Sequence, residues 1–168
     1  MSSQNSQSSR CLVVMRHAHA EPASAPGTDE QRPVTPQGRD AAAAAGARLS
    51  AAGLSPDYVL CSTARRARET WTMVQPALST EPVVELDRRL YGAGLDETLA
   101  LVSETPATVS TLLVIGHNPT MAHLAGAFPH VGGNGGVDSD FAPASLAVID
   151  LDVTWLYTAP GAGTARRL

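Results

Sequence analysis

The chain has 168 residues, 43% hydrophobic and only 4% aromatic. That suffices for one domain with a core of Ala, Val and Leu, and it excludes wholesale disorder. Acidic residues outnumber basic ones 16 to 12, which excludes the basic excess typical of a nucleic-acid binder. No apolar run approaches the roughly 20 residues of a membrane-spanning helix, and Cys11 and Cys61 make neither a disulfide framework nor a metal knuckle.

Residues 1–10 are rich in Ser and Gln and lack the apolar stretch of a secretory signal, so a disordered tail and a cytoplasmic protein are expected. Residues 11–15 form a short β-branched apolar run that predicts a buried strand, stopped by Arg16-His17-Ala18-His19. Residues 21–33 carry the Pro, Gly and charge of a loop. Thr35-Pro36 predicts an N-cap followed by proline at the first helical position, with an Ala-rich helix to about Ala52 and Gly53 ending it.

Residues 58–61 predict a second strand, ending at Ser62-Thr63. A helix with Ala67, Trp71, Val74 and Leu78 on one side follows and is kinked or shortened at Pro76. Residues 83–86 predict a third strand. Asp96 is positioned to cap a helix to about Glu104. Residues 111–115 predict a fourth strand, broken by Gly116-His117-Asn118-Pro119 and followed by an amphipathic helix through Met121, Leu124, Ala125 and Phe128.

Residues 129–140 predict a flexible Gly-rich loop; its glycines do not lead into a helix, so a phosphate cradle is not expected there. Residues 146–151 predict a last strand, and the chain is expected to fray from about Ala159. A single domain over residues 11–158 with a C-terminal tail of residues 159–168 is the expected organisation.

Fourfold alternation of strand and helix predicts a three-layer α/β/α fold around a mostly parallel sheet. Ligands of such sheets bind beyond the carboxyl ends of the strands. The first strand delivers Arg16 and His17 there, the second Ser62 with Arg65, Arg66 and Arg68 behind it, and the fourth Gly116, His117 and Asn118. Two histidines, at least two arginine forks and two helix N-termini converging on one edge suit a phosphoryl group.

These residues carry a family resemblance. Leu12-Val-Val-Met-Arg16-His17-Ala18 resembles the Arg-His-Gly signature of the histidine phosphatase superfamily, whose fold is shared with cofactor-dependent phosphoglycerate mutases. Ser62-Thr-Ala-Arg-Arg66-Ala67-Arg-Glu-Thr70 resembles its Ser-x-x-x-Arg-Ala-x-x-Thr motif, and Val114-Ile-Gly116-His117-Asn118-Pro119 its second histidine motif. Arg32-Pro33-Val34-Thr35-x-x-Gly38 is similar to the SixA-type phosphohistidine phosphatase branch. Ala18 stands where the superfamily usually has Gly; the branch includes members with this Ala.

The resemblance implies a metal-independent phosphatase that needs no cofactor. His17 would attack phosphorus as a neutral imidazole and become a phosphohistidine that water hydrolyses. Arg16 and Arg66 would hold the phosphoryl oxygens, His117 would hydrogen-bond them, and Ser62 and Asn118 would join the substrate-binding set. The motif spacing selects Arg66 over Arg65, leaving Arg65 and Arg68 as rim charges.

Larger family members place a Glu after the third strand. Glu85, Asp87, Asp96 and Glu97 stand in that region, and none is selected as a general acid. A labile P–N bond needs less acid help than an alkyl ester, so the expected partner is a protein carrying phosphohistidine, with small phosphorylated compounds as the alternative substrates, and neither nucleic acid nor membrane. Two rivals are a metal-dependent hydrolase using the His17-x-His19 pair and a phosphate-binding module without turnover. Chelator sensitivity tests the first, binding without phosphate release the second. His123 and His130 are expected away from the chemistry, Cys61 to be a small buried hydrophobe, and Trp71 to pack its helix.

Overall fold

A computed structural model describes residues 9–132 and 141–168. Most of the expected N-terminal tail and residues 133–140 of the Gly-rich loop lie outside the described residues. Six strands form one sheet in the order β3-β2-β4-β1-β5-β6. They span Arg10–Arg16 (β1), Tyr58–Ser62 (β2), Val83–Asp87 (β3), Thr111–Gly116 (β4), Leu146–Leu151 (β5) and Gly163–Arg167 (β6). β3, β2, β4 and β1 run parallel, while β5 and β6 are antiparallel additions at one edge. Helices α1 (Pro36–Ala51), α2 (Arg65–Val74), α3 (Leu95–Ser103) and α4 (Thr120–Gly126) complete the layers.

Alternation along the central strands feeds two cores. Leu12 and Val14 of β1, with Leu112 and Val114 of β4, point to the side of α3 and α4. Val13, Met15, Leu113 and Ile115 point to the side of α1 and α2, where Ala42, Ala45, Leu49, Ala67, Trp71 and Val74 meet them. Small alanines on α1 let it lie close to the sheet and to α2, which accounts for a core with so few rings.

The sequence at the start of α1 explains how this helix is anchored. Thr35 caps it, its hydroxyl accepting from the Gly38 N–H at 3.0 Å, and Pro36 opens the first turn. Gly38 sits against the turn after β1: a Cβ there would lie 2.3 Å from the His19 carbonyl oxygen and 2.7 Å from Val34. Both neighbours are held in place, since the Thr35 N–H donates to that same His19 carbonyl at 3.0 Å. Gly38→Ala is therefore expected to cost about 1–3 kcal/mol, measured as a lowered urea midpoint. An unchanged midpoint would contradict the close approach.

Two local expectations are corrected. The C-terminal segment does not fray from Ala159: Gly163–Arg167 pairs with β5 as the edge strand β6. Its core-facing positions are Gly163 and Ala165, and a Cβ at Gly163 would meet the Asp150 carbonyl at 2.3 Å; such small residues leave no apolar alternation to read. Asp96 does not cap α3; Gly94 is the N-cap without a side-chain bond, and Asp96 lies in the first turn, where its charge favours the helix dipole. As expected, Pro76 shortens α2, which stops at Val74 and continues as a short 3-10 turn over Gln75–Ala77. Among the described residues no helix is long and apolar enough to cross a membrane.

Candidate active site

The parallel strands β2, β4 and β1 are neighbours, so their carboxyl ends bring Ser62, Gly116 and Arg16 to one crevice. The His17 N–H continues the ladder by donating to the Gly116 carbonyl at 3.0 Å. His17 is only 9% exposed, and its ring centroid lies 5.1 Å from that of His117. Arg66, on the first turn of α2, is 6% exposed and reaches both rings. Its Nε donates to His17 Nε2 at 3.3 Å and its Nη2 to His117 Nδ1 at 3.3 Å.

These contacts fix the tautomers. His17 Nδ1 lies 2.7 Å from the Ala18 carbonyl oxygen, which can only accept, so Nδ1 carries the proton and Nε2 the lone pair. Arg66 can only donate, so His117 Nδ1 is an acceptor and its Nε2–H donates to Ser62 Oγ at 2.7 Å. Ser62 is fully buried, and its hydroxyl supports His117 instead of lying open to a ligand. Because a hydroxyl both donates and accepts, Ser62 sustains either tautomer of His117.

Burial and surrounding arginines keep both rings neutral. Burial first, then the charges of Arg66, Arg16 and Arg32, push the His17 pKa from 6.5 down to about 4 against the pull of the Ala18 carbonyl. Burial, then His17 and Arg66, push His117 down to about 3. As the pair interacts, its protons are gained in shared steps. Ring nitrogen NMR is expected to find both imidazoles neutral at pH 6, with protonation only below about pH 5; titration near 6.5 would contradict the burial. The folded values lie below the unfolded one, so the unfolded chain binds more protons between about pH 3 and 6.5. The contribution of these rings to stability is therefore complete above that window and declines as pH falls through it.

The turn carrying His17 is braced from several sides. The Ala18 N–H donates to Thr70 Oγ1 at 2.9 Å, and the Thr70 hydroxyl donates to the Arg66 carbonyl at 2.6 Å, tying the His17 turn and Arg66 to one helix. Ala18 is fully buried and has no positive φ, so its methyl is accommodated where Gly is usual. Ala144, at φ 64, donates its N–H to the Arg16 carbonyl at 3.1 Å.

The other expected residues divide. Arg16 Nη1 donates to the Phe141 carbonyl at 3.1 Å, while its Nε is buried without a hydrogen-bond partner. Asn118 Nδ2 donates to that same carbonyl at 2.8 Å, and its Oδ1 accepts from the Ala122 N–H at 3.2 Å. Asn118 thus links α4 to the segment before β5. Arg65 and Arg68 are exposed, Arg65 pairing with Glu69 at 2.7 Å. His19 Nδ1 is with Thr35 Oγ1 at 3.1 Å. Among the described residues no group of three His, Cys, Asp or Glu is arranged to hold a metal ion. Cys61 is buried, and desolvation pushes its thiol up to about 12, so it stays protonated.

Two residues at the site carry no sequence signal of their own. Asp29, from the loop before α1, accepts from Arg66 Nη2 at 3.2 Å and from Arg32 Nη1 at 3.1 Å, and its backbone carbonyl accepts from Arg66 Nη1 at 2.8 Å. Tyr91 donates its hydroxyl to Asp29 Oδ2 and sets its ring edge-on to His117 at 5.6 Å. The Tyr91 hydrogen bond first, then Arg32 and Arg66, hold the Asp29 carboxyl down at about 2 against the cost of burial. Only the neighbouring Arg32, read as part of a motif, hinted at Asp29. The candidate acids in and after β3 have other partners: Asp87, beside Ser62 in register, is engaged by Arg89 and Glu85 by Tyr58, while Asp96 and Glu97 occupy the first turn of α3.

A buried imidazole facing a second imidazole and an arginine fork, at the carboxyl edge of a mostly parallel sheet, is chemically suited to a phosphoryl group on a phosphoglycerate mutase-like fold. Residues 12–93 match the model of the histidine phosphatase superfamily, branch 1. An uncharacterised protein of Mycobacterium tuberculosis (strain H37Rv) is 32% identical over 149 residues, covering 85% of this chain and 92% of that protein. A structure assigned as the phosphohistidine phosphatase SixA of Nakamurella multipartitia superposes with a TM-score of 0.81 at 34% identity, covering 94% of each chain. The protein histidine phosphatase SixA in complex with tungstate superposes with a TM-score of 0.67 at 25% identity, again over 94% of each chain. The chain belongs to the histidine phosphatase superfamily, is SixA-like, and is a phosphatase.

Proposed function

We propose that the protein removes phosphate from protein phosphohistidine without a metal ion, through a phospho-His17 intermediate. The observation that carries this reading is the bond from His17 Nδ1–H to the Ala18 carbonyl, which leaves the Nε2 lone pair facing Arg66 and His117. The Nε2 lone pair forms a bond to phosphorus as the substrate's P–N bond breaks, and the leaving imidazole takes any proton it needs from solvent. Water then attacks phosphorus, the His17–P bond breaks, and inorganic phosphate departs with His17 neutral again. Arg16 and Arg66 balance the phosphoryl charge. For His117 to donate to a phosphoryl oxygen through Nδ1, its proton moves from Nε2, and Ser62 then donates to Nε2.

The substrate class rests on the acid. Asp29, the carboxyl group in contact with Arg66, is held ionised at neutral pH and cannot lend a proton to an alkoxide. A phosphoramidate tolerates that lack, and the similarity to SixA-type proteins favours the same substrate. Phosphate release is expected to be faster from a phosphohistidine-bearing carrier protein than from a small alkyl phosphate by on the order of a hundredfold in kcat/KM, and unchanged by EDTA. A ratio near one would overturn the substrate class, and loss of activity in EDTA would overturn the metal-free mechanism.

A further inference from the structure

The two edges of the Arg66 guanidinium face different partners. The Nε–Nη2 edge points at the imidazoles, to His17 Nε2 and His117 Nδ1, both at 3.3 Å. The Nη1–Nη2 edge is gripped by Asp29, through its carbonyl at 2.8 Å and Oδ2 at 3.2 Å. Asp29 is itself fixed. Arg32 Nη1 holds Oδ1 at 3.1 Å, and Arg32 Nε is anchored to the Glu21 carbonyl at 2.7 Å. Tyr91 holds Oδ2, and its ring lies under the Arg66 guanidinium at 5.9 Å. Although 46% exposed, the carboxylate is thus pinned by three residues from three segments.

We propose that Asp29 is a positioning residue that aims Arg66: by clamping the Nη1–Nη2 edge, it turns the Nε–Nη2 edge onto the phosphoryl group carried between His17 and His117. The inference rests on the phosphoryl site described above and assigns Asp29 no proton transfer. A planar fork reads a phosphoryl group through two parallel N–H bonds, so its value depends on orientation, and orientation errors are felt mainly in the transition state.

The experiment compares Asp29→Ala, Asp29→Asn and Tyr91→Phe in the full chain, by steady-state kinetics on a phosphohistidine-bearing carrier protein and by NMR of the Arg66 Nε–H. Asp29→Ala is expected to lower kcat roughly tenfold to a hundredfold with KM nearly unchanged. Asp29→Asn, whose side-chain oxygen still accepts from Nη2, is expected to restore most of that loss. Tyr91→Phe is expected to fall between them. The Arg66 Nε–H is expected as a slowly exchanging signal in the wild type and Asp29→Asn, and to be averaged in Asp29→Ala.

An Asn variant as impaired as Ala would overturn the proposal in favour of proton transfer by Asp29. An unchanged kcat in all three, or a change in KM alone, would also overturn it. If the wild type releases phosphate from neither protein nor small-molecule substrates, the phosphatase mechanism above fails, while the Arg66 Nε–H signal still decides whether Asp29 fixes the fork.

Discussion

His17→Ala is expected to reduce phosphate release by at least about 10⁴-fold while the protein remains folded. The size of the loss follows from the lack of a substitute nucleophile in contact with Arg66. His117 Nδ1 is taken by Arg66 and its Nε2–H by Ser62. Cys61 is buried and protonated at neutral pH. His19 Nδ1 is engaged with Thr35 Oγ1. The fold should survive because His17 lies past the end of β1, whose core residues Leu12, Val13, Val14 and Met15 are untouched. The side-chain bonds lost are those to the adjacent Ala18 carbonyl and from Arg66 Nε, neither of which joins strands of the sheet. Steady-state phosphate release, with circular dichroism as the control for folding, checks this. A folded variant that keeps a few per cent of wild-type turnover would show that phosphorus is attacked by another group.

The second large effect separates two adjacent arginines. Arg66→Ala is expected to lower kcat/KM by about 10³-fold, and Arg65→Ala by less than about threefold. Arg66 is buried and touches His17, His117 and Asp29 at once. Removing it takes away the fork that meets the phosphoryl charge and leaves Asp29 with Arg32 alone among the arginines. Arg65 is exposed and pairs with Glu69 one helical turn on, an arrangement worth little in water. Arg66→Lys should not restore activity, because an ammonium cannot present two parallel donors to one phosphoryl group. Comparable losses at both arginines would contradict the placement of Arg66.

The legible parts of the fold were those written in periodicity and in local chemistry. The two-sided apolar runs of β1 and β4, the Thr35-Pro36 start of α1 and the strand ends at Arg16-His17, Ser62 and His117 can be read directly, because burial and capping act over a few adjacent residues. The choice of Arg66 came from the Ser-x-x-x-Arg-Ala resemblance, and burial explains it: Arg66 and Ala67 face inward while Arg65 and Arg68 face out.

Contacts made across long sequence separations stayed silent. Asp29 lies 37 residues from Arg66 and Tyr91 lies 62 from Asp29, and each sits in a single 3-10 turn too short to show a period. β6 was hidden because close packing against β5 demands Gly163 and Ala165 where a readable strand would carry Val or Ile. Ser62 and Asn118 belong to the expected substrate-binding set; that Ser62 also bonds His117 and Asn118 also bonds the first turn of α4 depends on side-chain direction, which spacing does not carry.

The central claim is that the phosphoryl group passes through His17 Nε2. Rapid-quench mixing with a phosphohistidine-bearing carrier protein in EDTA, followed by mass spectrometry of the enzyme under alkaline conditions, tests it most directly. A single base-stable, acid-labile phosphoryl group on His17, appearing before free phosphate and absent from His17→Ala, is the expected result. Steady phosphate release with no phosphoryl group on His17 at any time, or with one on another residue, would contradict it.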